Sequence, residues 1–307
     1  MDISIISINY NNSALTQDFV KSVIACTDPS ISYEIIIVDN CSATADYKNL
    51  IAVLADYKGV TKIVRSNINT GFGGGNMFGT QFAKGKYLAF INNDVIFTED
   101  CLASLHGFMK DHPDVGVCTA QQLDKDKNPV AGFDYYHGIR KELLGRWAVE
   151  LTSKKVKREN RLYTETVYPD FIQGCFLFFD TKRFAEAGGF DTNLFLYYEE
   201  MDICYRLKQN GLQCAMHPET KFIHLHGEST PKNFTIRKEL KISYLYILHK
   251  NHSYFKYSVI RYYTLIRLFF KSFFKPAYWN LVYIILTSTY LEHSLRQKQV
   301  MVFPDED

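Results

Sequence analysis

Three clusters of polar residues stand beside apolar runs, and their side chains are of kinds that do chemistry. Asn92-Asn93-Asp94 separates Tyr87-Leu88-Ala89-Phe90-Ile91 from Val95-Ile96-Phe97. One carboxylate flanked by two amides suits a divalent cation that holds a phosphate, because hard cations take oxygen ligands and share them with substrate phosphates. A plain β-turn suits the same triplet, since Asn and Asp are ordinary turn formers. Glu199-Glu200-Met201-Asp202 puts three carboxylates into four residues, just after Phe195, Tyr197 and Tyr198. A carboxylate in partly apolar surroundings has a raised pKa and can serve as a general base. Acids at a helix start also interact well with its dipole, and such capping is the competing use. His224 and His226 follow another apolar run. A histidine completing an oxygen-rich site points to Mn2+ or a similar metal rather than Ca2+. An ordinary core or surface histidine is the alternative.

A fourth feature is the glycine cluster Gly71-Phe72-Gly73-Gly74-Gly75. Glycines let a backbone approach a phosphate closely. The cluster is not a P-loop, as no Gly-Lys-Ser/Thr follows it. Nor is it the dinucleotide fingerprint in its proper context, because it lies after the third apolar run.

These residues need elements to position them. Residues 3–8 read as a strand that ends in Asn9-Tyr10-Asn11-Asn12. Residues 14–25 have helical spacing, with Leu15, Phe19, Val23 and Ile24 on one side. A second strand, 33–38, ends at Asp39-Asn40-Cys41-Ser42, and a helix follows over 45–57. A third strand, 60–65, runs toward Asn67 and Asn69, and residues 76–83 form the next helix. Strands alternating with helices at this pace imply a parallel, doubly wound sheet. Ligands bind outside the carboxyl ends of such strands, so the polar patches should gather along one edge. Further on, 101–111 is helical, 115–121 is a strand, and 131–161 is a charged insertion. Residues 171–180 form an apolar strand interrupted by Gly174. A short helix over 181–187 is closed by Gly188-Gly189. Residues 203–209 are helical, and 214–218 and 221–225 are strand-like.

The bulk properties narrow the setting. The net charge of +2 hides an asymmetry: between Arg237 and Lys275, nine Lys and Arg residues face only Glu239. From about residue 234 the pattern is helical, aromatic and basic. Residues 276–291 are apolar but short of the ~20 needed to span a bilayer. Basic and aromatic helices suit the interface of an anionic leaflet; packing on the core or on a second copy is the alternative. The seven cysteines are odd in number, scattered and never in a C-x-x-C pair. They argue for a reducing compartment and against a disulfide framework or zinc site. Met1-Asp2-Ile3-Ser4-Ile5 lacks a basic n-region and a long apolar core, so the expectation is a cytoplasmic chain without a signal peptide.

In order and spacing, the segments resemble the inverting nucleotide-sugar glycosyltransferases of family 2, and among them the bacterial rhamnosyltransferase-like branch. The resemblance runs from Ile3 to about Ser229. It rests on Ser4-Ile5-Ile6-Ser7-Ile8-Asn9-Tyr10-Asn11, Glu34-Ile35-Ile36-Ile37-Val38-Asp39-Asn40-Cys41-Ser42 and Asn67-Ile68-Asn69-Thr70-Gly71-Phe72-Gly73-Gly74-Gly75-Asn76. It continues through Asn92-Asn93-Asp94, Gly188-Gly189-Phe190-Asp191, Leu196-Tyr197-Tyr198-Glu199-Glu200-Met201-Asp202-Ile203-Cys204-Tyr205-Arg206-Leu207, and His224 to Ser229. It implies an α/β fold of the GT-A type, a Rossmann-like, mostly parallel sheet flanked by helices. The implied catalytic domain is 1–232, with a nucleotide-binding half over 1–100 and an acceptor and catalytic half over 101–232. Residues 233–307 then form a C-terminal helical region for contact with a membrane surface or a second copy.

The resemblance also implies roles. Asn9 and Tyr10 would border the nucleotide base, and Asp39 would hydrogen-bond the base or ribose. Asn69, Gly71, Gly73 and Asn76 would close over the nucleotide. Asn92, Asn93 and Asp94 stand where the family's DXD motif stands, with Asn92 replacing the first aspartate. Asp94 would bind the divalent cation, Mn2+ or Mg2+, with His224 as second ligand and His226 as fallback. Gly174 and Cys175 would line the donor sugar. The catalytic base would be Glu200, where the family usually has Asp, with Glu199 and Asp202 as alternatives.

The implied reaction is a single displacement at the anomeric carbon, with inversion and no covalent sugar–enzyme intermediate. The expected donor is dTDP-rhamnose, then UDP-hexoses. The expected acceptor is a lipid-linked saccharide of bacterial surface polysaccharide synthesis, such as O-antigen, met at the inner face of the plasma membrane. No nucleic-acid partner is expected. Two rivals differ in class. A nucleotidyltransferase should carry a basic glycine-rich loop after the first strand, where this chain has Asn9-Tyr10-Asn11-Asn12. A non-catalytic partner would keep the fold without the site, and Asn92 and Glu200 are the grounds for it.

Overall fold

The computed structural model describes residues 1–136, 138–151, 153–225 and 233–303. The elements in chain order are β1 (Ile3–Asn9), α1 (Ser13–Cys26), β2 (Tyr33–Asn40), α2 (Thr44–Val53), β3 (Thr61–Ser66), α3 (Gly71–Thr80), β4 (Tyr87–Ile91), β5 (Val95–Phe97), α4 (Cys101–Asp111), β6 (Val115–Leu123), β7 (Pro129–Val130), β8 (Phe133–Asp134) and α5 (Gly138–Glu150). There follow β9 (Phe171–Ile172), β10 (Phe176–Asp180), α6 (Thr181–Glu186), α7 (Glu199–Gln209), β11 (Gln213–His224), α8 (Phe234–Asn251), α9 (Tyr254–Phe274) and α10 (Tyr278–Thr287).

Among the described residues one sheet carries the strand order β3-β2-β1-β4-β10-β6-β11-β5, with β7 added beside β6. Strands β3, β2, β1 and β4 are all parallel, as is the β6–β11 pair. Strand β10 runs antiparallel to both β4 and β6, and β5 antiparallel to β11. Most of the paired length is thus parallel. The fold is the α/β, GT-A-like architecture expected from the sequence.

Alternation sends successive strand residues to opposite faces, and both faces are covered, so the strands read as continuous apolar runs. Ile3, Ile5, Ile35 and Ile37 pack with Phe19 of α1, Leu50 of α2 and Leu105 of α4. Ile6, Ile36, Val38 and Phe90 pack on the other face with Phe184 of α6 and Ile203 of α7. A separate apolar cluster holds the C-terminal helices together, with Ile242, Leu245, Ile260, Leu281 and Ile285 at its centre. Helix α9 buries Tyr257, Ile260, Thr264 and Leu268 at helical spacing. Its other side leaves Phe255, Tyr262, Ile266, Phe270, Phe273 and Phe274 exposed. Among the described residues no helix is long and apolar enough to cross a membrane.

Several local expectations are corrected. The glycine cluster lies inside α3, which begins at Gly71 rather than at 76. An added Cβ at Gly75 would stand 2.8 Å from Ile8 Cδ1, and one at Gly79 2.6 Å from Ile6 Cγ2. These two glycines therefore let α3 pack directly on β1. The helix expected over 45–57 ends at Val53 and is followed by a 3-10 turn, Ala55–Tyr57. Helix α7 starts at Glu199, so all three acids of the cluster occupy its first turn. The two strand-like pieces after it form one strand, β11, with an irregularity between Met216 and Lys221.

Candidate active site

A cavity of about 740 Å3 lies at the carboxyl ends of β1, β2 and β4. It is of a size that ordinarily takes a small-molecule ligand. Its wall includes Tyr10, Asn40, Asn69, Gly71, Phe72, Asn76, Asn92, Asn93, Gly174, Cys175, Tyr197, Glu199, Glu200 and His224. The polar strand ends and the acidic helix start thus meet in one place.

Four candidates, Asn9, Asp39, Gly73 and Asp94, stand behind this wall rather than in it. Asn9 is fully buried; its amide nitrogen donates to Asp39 Oδ1 at 3.1 Å and to Asp46 Oδ2 at 2.9 Å, and its Oδ1 accepts from Thr16 Oγ1 at 2.8 Å. Asp39 is equally buried, with Arg65 Nε 3.4 Å from Oδ2. Gly73 faces Phe190, Asp191 and Glu199 from inside α3. Neither Asn9, expected to border the base, nor Gly73, expected to close over the nucleotide, lines the cavity. Asn9 has spent its hydrogen-bonding capacity on neighbours, and Gly73 is on the packed side of its helix. Asp39 likewise offers no open surface to the cavity.

The network extends to the Asn92-Asn93-Asp94 segment. Asn93 Nδ2 donates to Thr16 Oγ1 at 2.9 Å, so Asn93, Thr16, Asn9 and Asp39 link the turn after β4 with α1, β1 and β2. Val95 N donates to Asn92 O at 3.2 Å, which closes a turn over the triplet. The turn reading and the ligand-binding reading therefore coexist: the turn aims the side chains.

Asn40, which sequence reasoning did not single out, clamps the next loop. Its Oδ1 accepts from Thr70 N and Thr70 Oγ1, each at 3.1 Å, and its Nδ2 donates to Asn69 Oδ1 at 3.0 Å and Gly71 O at 3.1 Å. Gly71 has φ +72°, and a Cβ there would stand 2.0 Å from Phe195 O. Phe72 N donates to that same carbonyl at 2.9 Å. The start of α3 is thereby pinned to the loop that feeds α7.

That loop ends with Tyr197 and Tyr198, at φ +74° and +71°. Consecutive left-handed residues other than glycine are costly and cluster at functional sites. Here they turn the chain so that Glu199 and Glu200 begin α7 at the cavity. Glu200 is half-buried, and burial pushes its pKa up to about 7. Glu199 is almost wholly buried; burial first and the Glu200 charge second push it well above the usual carboxylate range. Asp202 is removed from the candidate bases. Its carboxylate is buried and accepts from Arg206 at 2.7 Å, Lys250 at 3.0 Å and Asn251 at 2.8 Å.

Asp94 is 1 % exposed, and its Oδ1 lies 3.2 Å from His224 Nε2. Two ligands about 2.1 Å from one octahedral cation stand about 3 Å apart, so this pair has the separation of adjacent ligands. The chemistry also fits, with the imidazole of His224 lining a cavity that would admit phosphate oxygens and the hard oxygen of Asp94 directly behind it. Gln122 Nε2 lies 3.2 Å from His224 Nδ1 and orients the ring. Burial opposes a charge on His224, but the Cys175 sulfur and the Asp94 carboxylate outweigh it and push its pKa up to about 10, so the ring would have to give up its Nε2 proton to ligate a cation. No group of three His, Cys, Asp or Glu side chains converges among the described residues. A cation would thus depend on the bound phosphates for its remaining ligands. His226, with Gly227-Glu228-Ser229, lies outside the described residues.

Sequence reasoning missed a further part of the wall. Ile236, Leu295 and Gln299 reach the cavity from the C-terminal region. Glu239, fully buried, accepts from Ser294 Oγ at 2.6 Å and Leu295 N at 2.8 Å. Val302 N donates to Asn67 O at 2.7 Å. The segment 294–302 therefore straps the C-terminal helices to the loop after β3. Its sequence, without glycine, motif or periodicity, carried no signal of this.

The sequence profile described as Glycosyl transferase family 2 matches residues 4–182. Rhamnosyltransferase WbbL of Escherichia coli K12 is 25% identical over 246 residues, covering 76% of this chain and 89% of that protein. Poly(ribitol-phosphate) beta-glucosyltransferase of Bacillus spizizenii is 30% identical over 112 residues, 36% of this chain and 18% of that protein. The crystal structure of GalNAc-T7 with UDP, GalNAc and Mn2+ matches with a TM-score of 0.62 at 18% identity, over 81% of this chain and 48% of that one. This chain therefore spans about half the length of GalNAc-T7. The S. aureus TarS 1–349 structure in complex with UDP matches with a TM-score of 0.56 at 13% identity, over 86% of this chain and 66% of that one. These structural likenesses concern the fold, which is that of GT-A glycosyltransferases. The profile match spans more than half the chain and contains the strand ends that build the cavity: this protein belongs to glycosyl transferase family 2.

Proposed function

We propose that the protein is an inverting glycosyltransferase that moves a sugar from a nucleoside diphosphate donor to a lipid-linked saccharide at a membrane surface. The observation that carries this reading is one shared cavity. Glu200, with its pKa near 7, faces the same space as Asn92 and His224, and Asp94 stands directly behind His224. A base and an anion-receiving site on one cleft are what a single displacement requires.

In this reading Tyr10, Asn40, Asn69, Gly71 and Asn76 hold the nucleotide, and Asn9 and Asp39 support them from behind. Gly174 and Cys175 border the sugar. Asp94 and His224 would hold a divalent cation, Mn2+ or Mg2+, which supplies Lewis-acid stabilisation to the departing diphosphate. Glu200 accepts the proton of the acceptor hydroxyl as that oxygen attacks the anomeric carbon. Glu199 is the more deeply buried of the pair and its pKa is held well above the usual carboxylate range, so the proton is assigned to the more open Glu200. Configuration inverts, because attack and departure occur on opposite faces.

The likeness to a rhamnosyltransferase over most of both chains supports dTDP-rhamnose as donor, with UDP-hexoses next. The exposed aromatics of α9, interspersed with Arg267 and Lys271, support attachment at an anionic leaflet. Residues 1–232 would then be the catalytic domain and 233–307 the membrane-facing one. A thermal-shift screen of sugar nucleotides with Mn2+ or Mg2+ tests the reading, since a ligand that binds the native state raises Tm. A shift with dTDP-rhamnose and none with UDP-sugars is the expected result. Absence of any shift, with no sugar transfer, would return the non-catalytic alternative.

A further inference from the structure

A second cavity, of about 290 Å3, lies on the other side of the α7 start. Tyr197, Glu199 and Glu200 face the donor cavity, whereas Tyr198 and Met201 face this one. Lys241 of α8 and Lys256 of α9 also line it. Among the described residues neither ammonium group makes a hydrogen bond or ion pair; Lys241 Nζ lies 5.4 Å from the Tyr244 ring centroid. Both are partly buried. Of the acids nearby, Asp134 is already engaged, whereas the charge of Glu142 also acts on Lys241. Arg146 holds Asp134 through bonds of 2.7 and 3.0 Å, and Lys141 stands 3.3 Å from it. Glu142 accepts from Tyr244 Oη at 2.7 Å.

Withdrawing an ammonium group from water without a partner is costly. Among the described residues, Lys241 has the charge of Glu142 near it and Lys256 has no acid acting on it, so an anion entering the cavity would supply the missing counter-charge. Gly138 preserves the space: a Cβ there would stand 3.1 Å from Lys256 Cε. The cavity falls just below the ~300 Å3 lower end of drug-sized ligand pockets, so it suits a compact anionic group rather than a nucleotide sugar. Lys256 also follows directly on Tyr254 and Phe255, which are 71% and 73% exposed. The cationic wall thus adjoins the aromatic face of α9.

We propose that this cavity binds the phosphate or diphosphate of a lipid-linked acceptor, with Lys241 and Lys256 as its counter-charges. The lipid lies along the exposed aromatics of α9, and the saccharide reaches past Tyr198 toward Glu200. This rests on the reading of the protein as a glycosyltransferase with a lipid-linked acceptor. A free phosphate-bearing saccharide would present the same anion without the lipid.

The test uses the full chain, its Lys241→Met and Lys256→Met variants, and the double variant. Inorganic pyrophosphate is titrated calorimetrically with the donor cavity saturated by dTDP or UDP, whichever binds. Flotation with phosphatidylcholine vesicles, with and without a polyprenyl diphosphate, is measured in parallel. The expected results are pyrophosphate binding that persists beside the nucleotide, at least tenfold greater capture by the prenyl-diphosphate vesicles, and loss of both in the double variant. Removing a buried unpaired charge should leave Tm unchanged or higher, so misfolding would not mimic the loss. Unchanged binding in the double variant, or displacement of pyrophosphate by the nucleotide, would overturn the site. Pyrophosphate binding without extra vesicle capture would overturn the lipid assignment. If neither dTDP nor UDP binds, the glycosyltransferase reading fails, and the pyrophosphate titration still decides the cavity.

Discussion

His224 Nε2 stands 3.2 Å from Asp94 Oδ1, although 130 residues (224 minus 94) separate them in the chain. The cause is strand register. His224 pairs with Val95 across the antiparallel β11–β5 contact, and Leu225 N donates to Asp94 O at 3.0 Å. One residue of slip would turn the imidazole to the opposite face of the sheet.

Metal binding should therefore require the donor. The protein offers one carboxylate and one imidazole, and a divalent cation fills its remaining positions from phosphate and water. Mn2+ alone is expected to raise Tm little, and Mn2+ with a nucleoside diphosphate substantially. Asp94→Asn should abolish most of the Mn2+-dependent part while leaving the metal-free fold intact. An equal Mn2+ response in wild type and Asp94→Asn would remove Asp94 from the site.

Glu200 should govern the pH profile. With its pKa near 7, kcat/KM should rise with pH through about 7 and then level off. Glu200→Gln should lower kcat by about 10²–10⁴-fold while donor affinity stays the same. The stability consequence has the opposite sign. The folded-state pKa lies above the ~4.3 of an unfolded glutamate, so the group's contribution is fully present below that value. It is lost as pH rises through about 7. Glu200→Gln should thus raise Tm relative to wild type above pH 7 and leave it similar near pH 4. A Gln variant with full activity would reassign the base.

The sequence made the parallel half of the sheet legible because β1, β2 and β4 are uninterrupted apolar runs closed by Asn and Asp. It also brought Glu200, Asn92 and His224 to one site, through the order and spacing of their motifs. It misplaced the start of α3, since glycines read as loop wherever helix propensity is the guide; contact with Ile6 and Ile8 overrides that propensity here. It exposed Asn9 and Asp39 too generously, because a polar residue at a strand end looks the same whether it meets ligand or a buried network. The strap formed by Leu295 and Gln299 had no pattern to reveal it, because its placement depends on one buried partner, Glu239, in another helix.

Gly71 should tolerate no side chain. Its φ of +72° alone disfavours other residues, and the added Cβ would stand 2.0 Å from Phe195 O. Gly71→Ala must move either the α3 start or the loop leading to Tyr197 and Tyr198. The cost should exceed the ~1–3 kcal/mol of backbone strain alone, read as a fall in ΔG of urea unfolding. Gly107 is the control, because a Cβ there meets nothing within 4 Å. Ala at 107, inside α4, should be neutral or slightly stabilising.

The strap should contribute to donor affinity although it lies outside the segment matched by the family profile. Leu295 and Gln299 line the donor cavity, and two bonds to Glu239 hold the turn that presents them. Gln299 Nε2 donates to Leu295 O at 3.0 Å, so the two residues are also fixed to each other. Leu295→Ser with Gln299→Ala removes the wall but leaves the anchor. Glu239→Ala removes the anchor but leaves the wall residues. Both should weaken nucleoside diphosphate binding, by about tenfold, which corresponds to ~1.4 kcal/mol. Only Glu239→Ala should also raise amide hydrogen exchange across 294–302, because only it frees the strap. Unchanged affinity in both variants would mean that the strap braces the C-terminal helices without touching the donor.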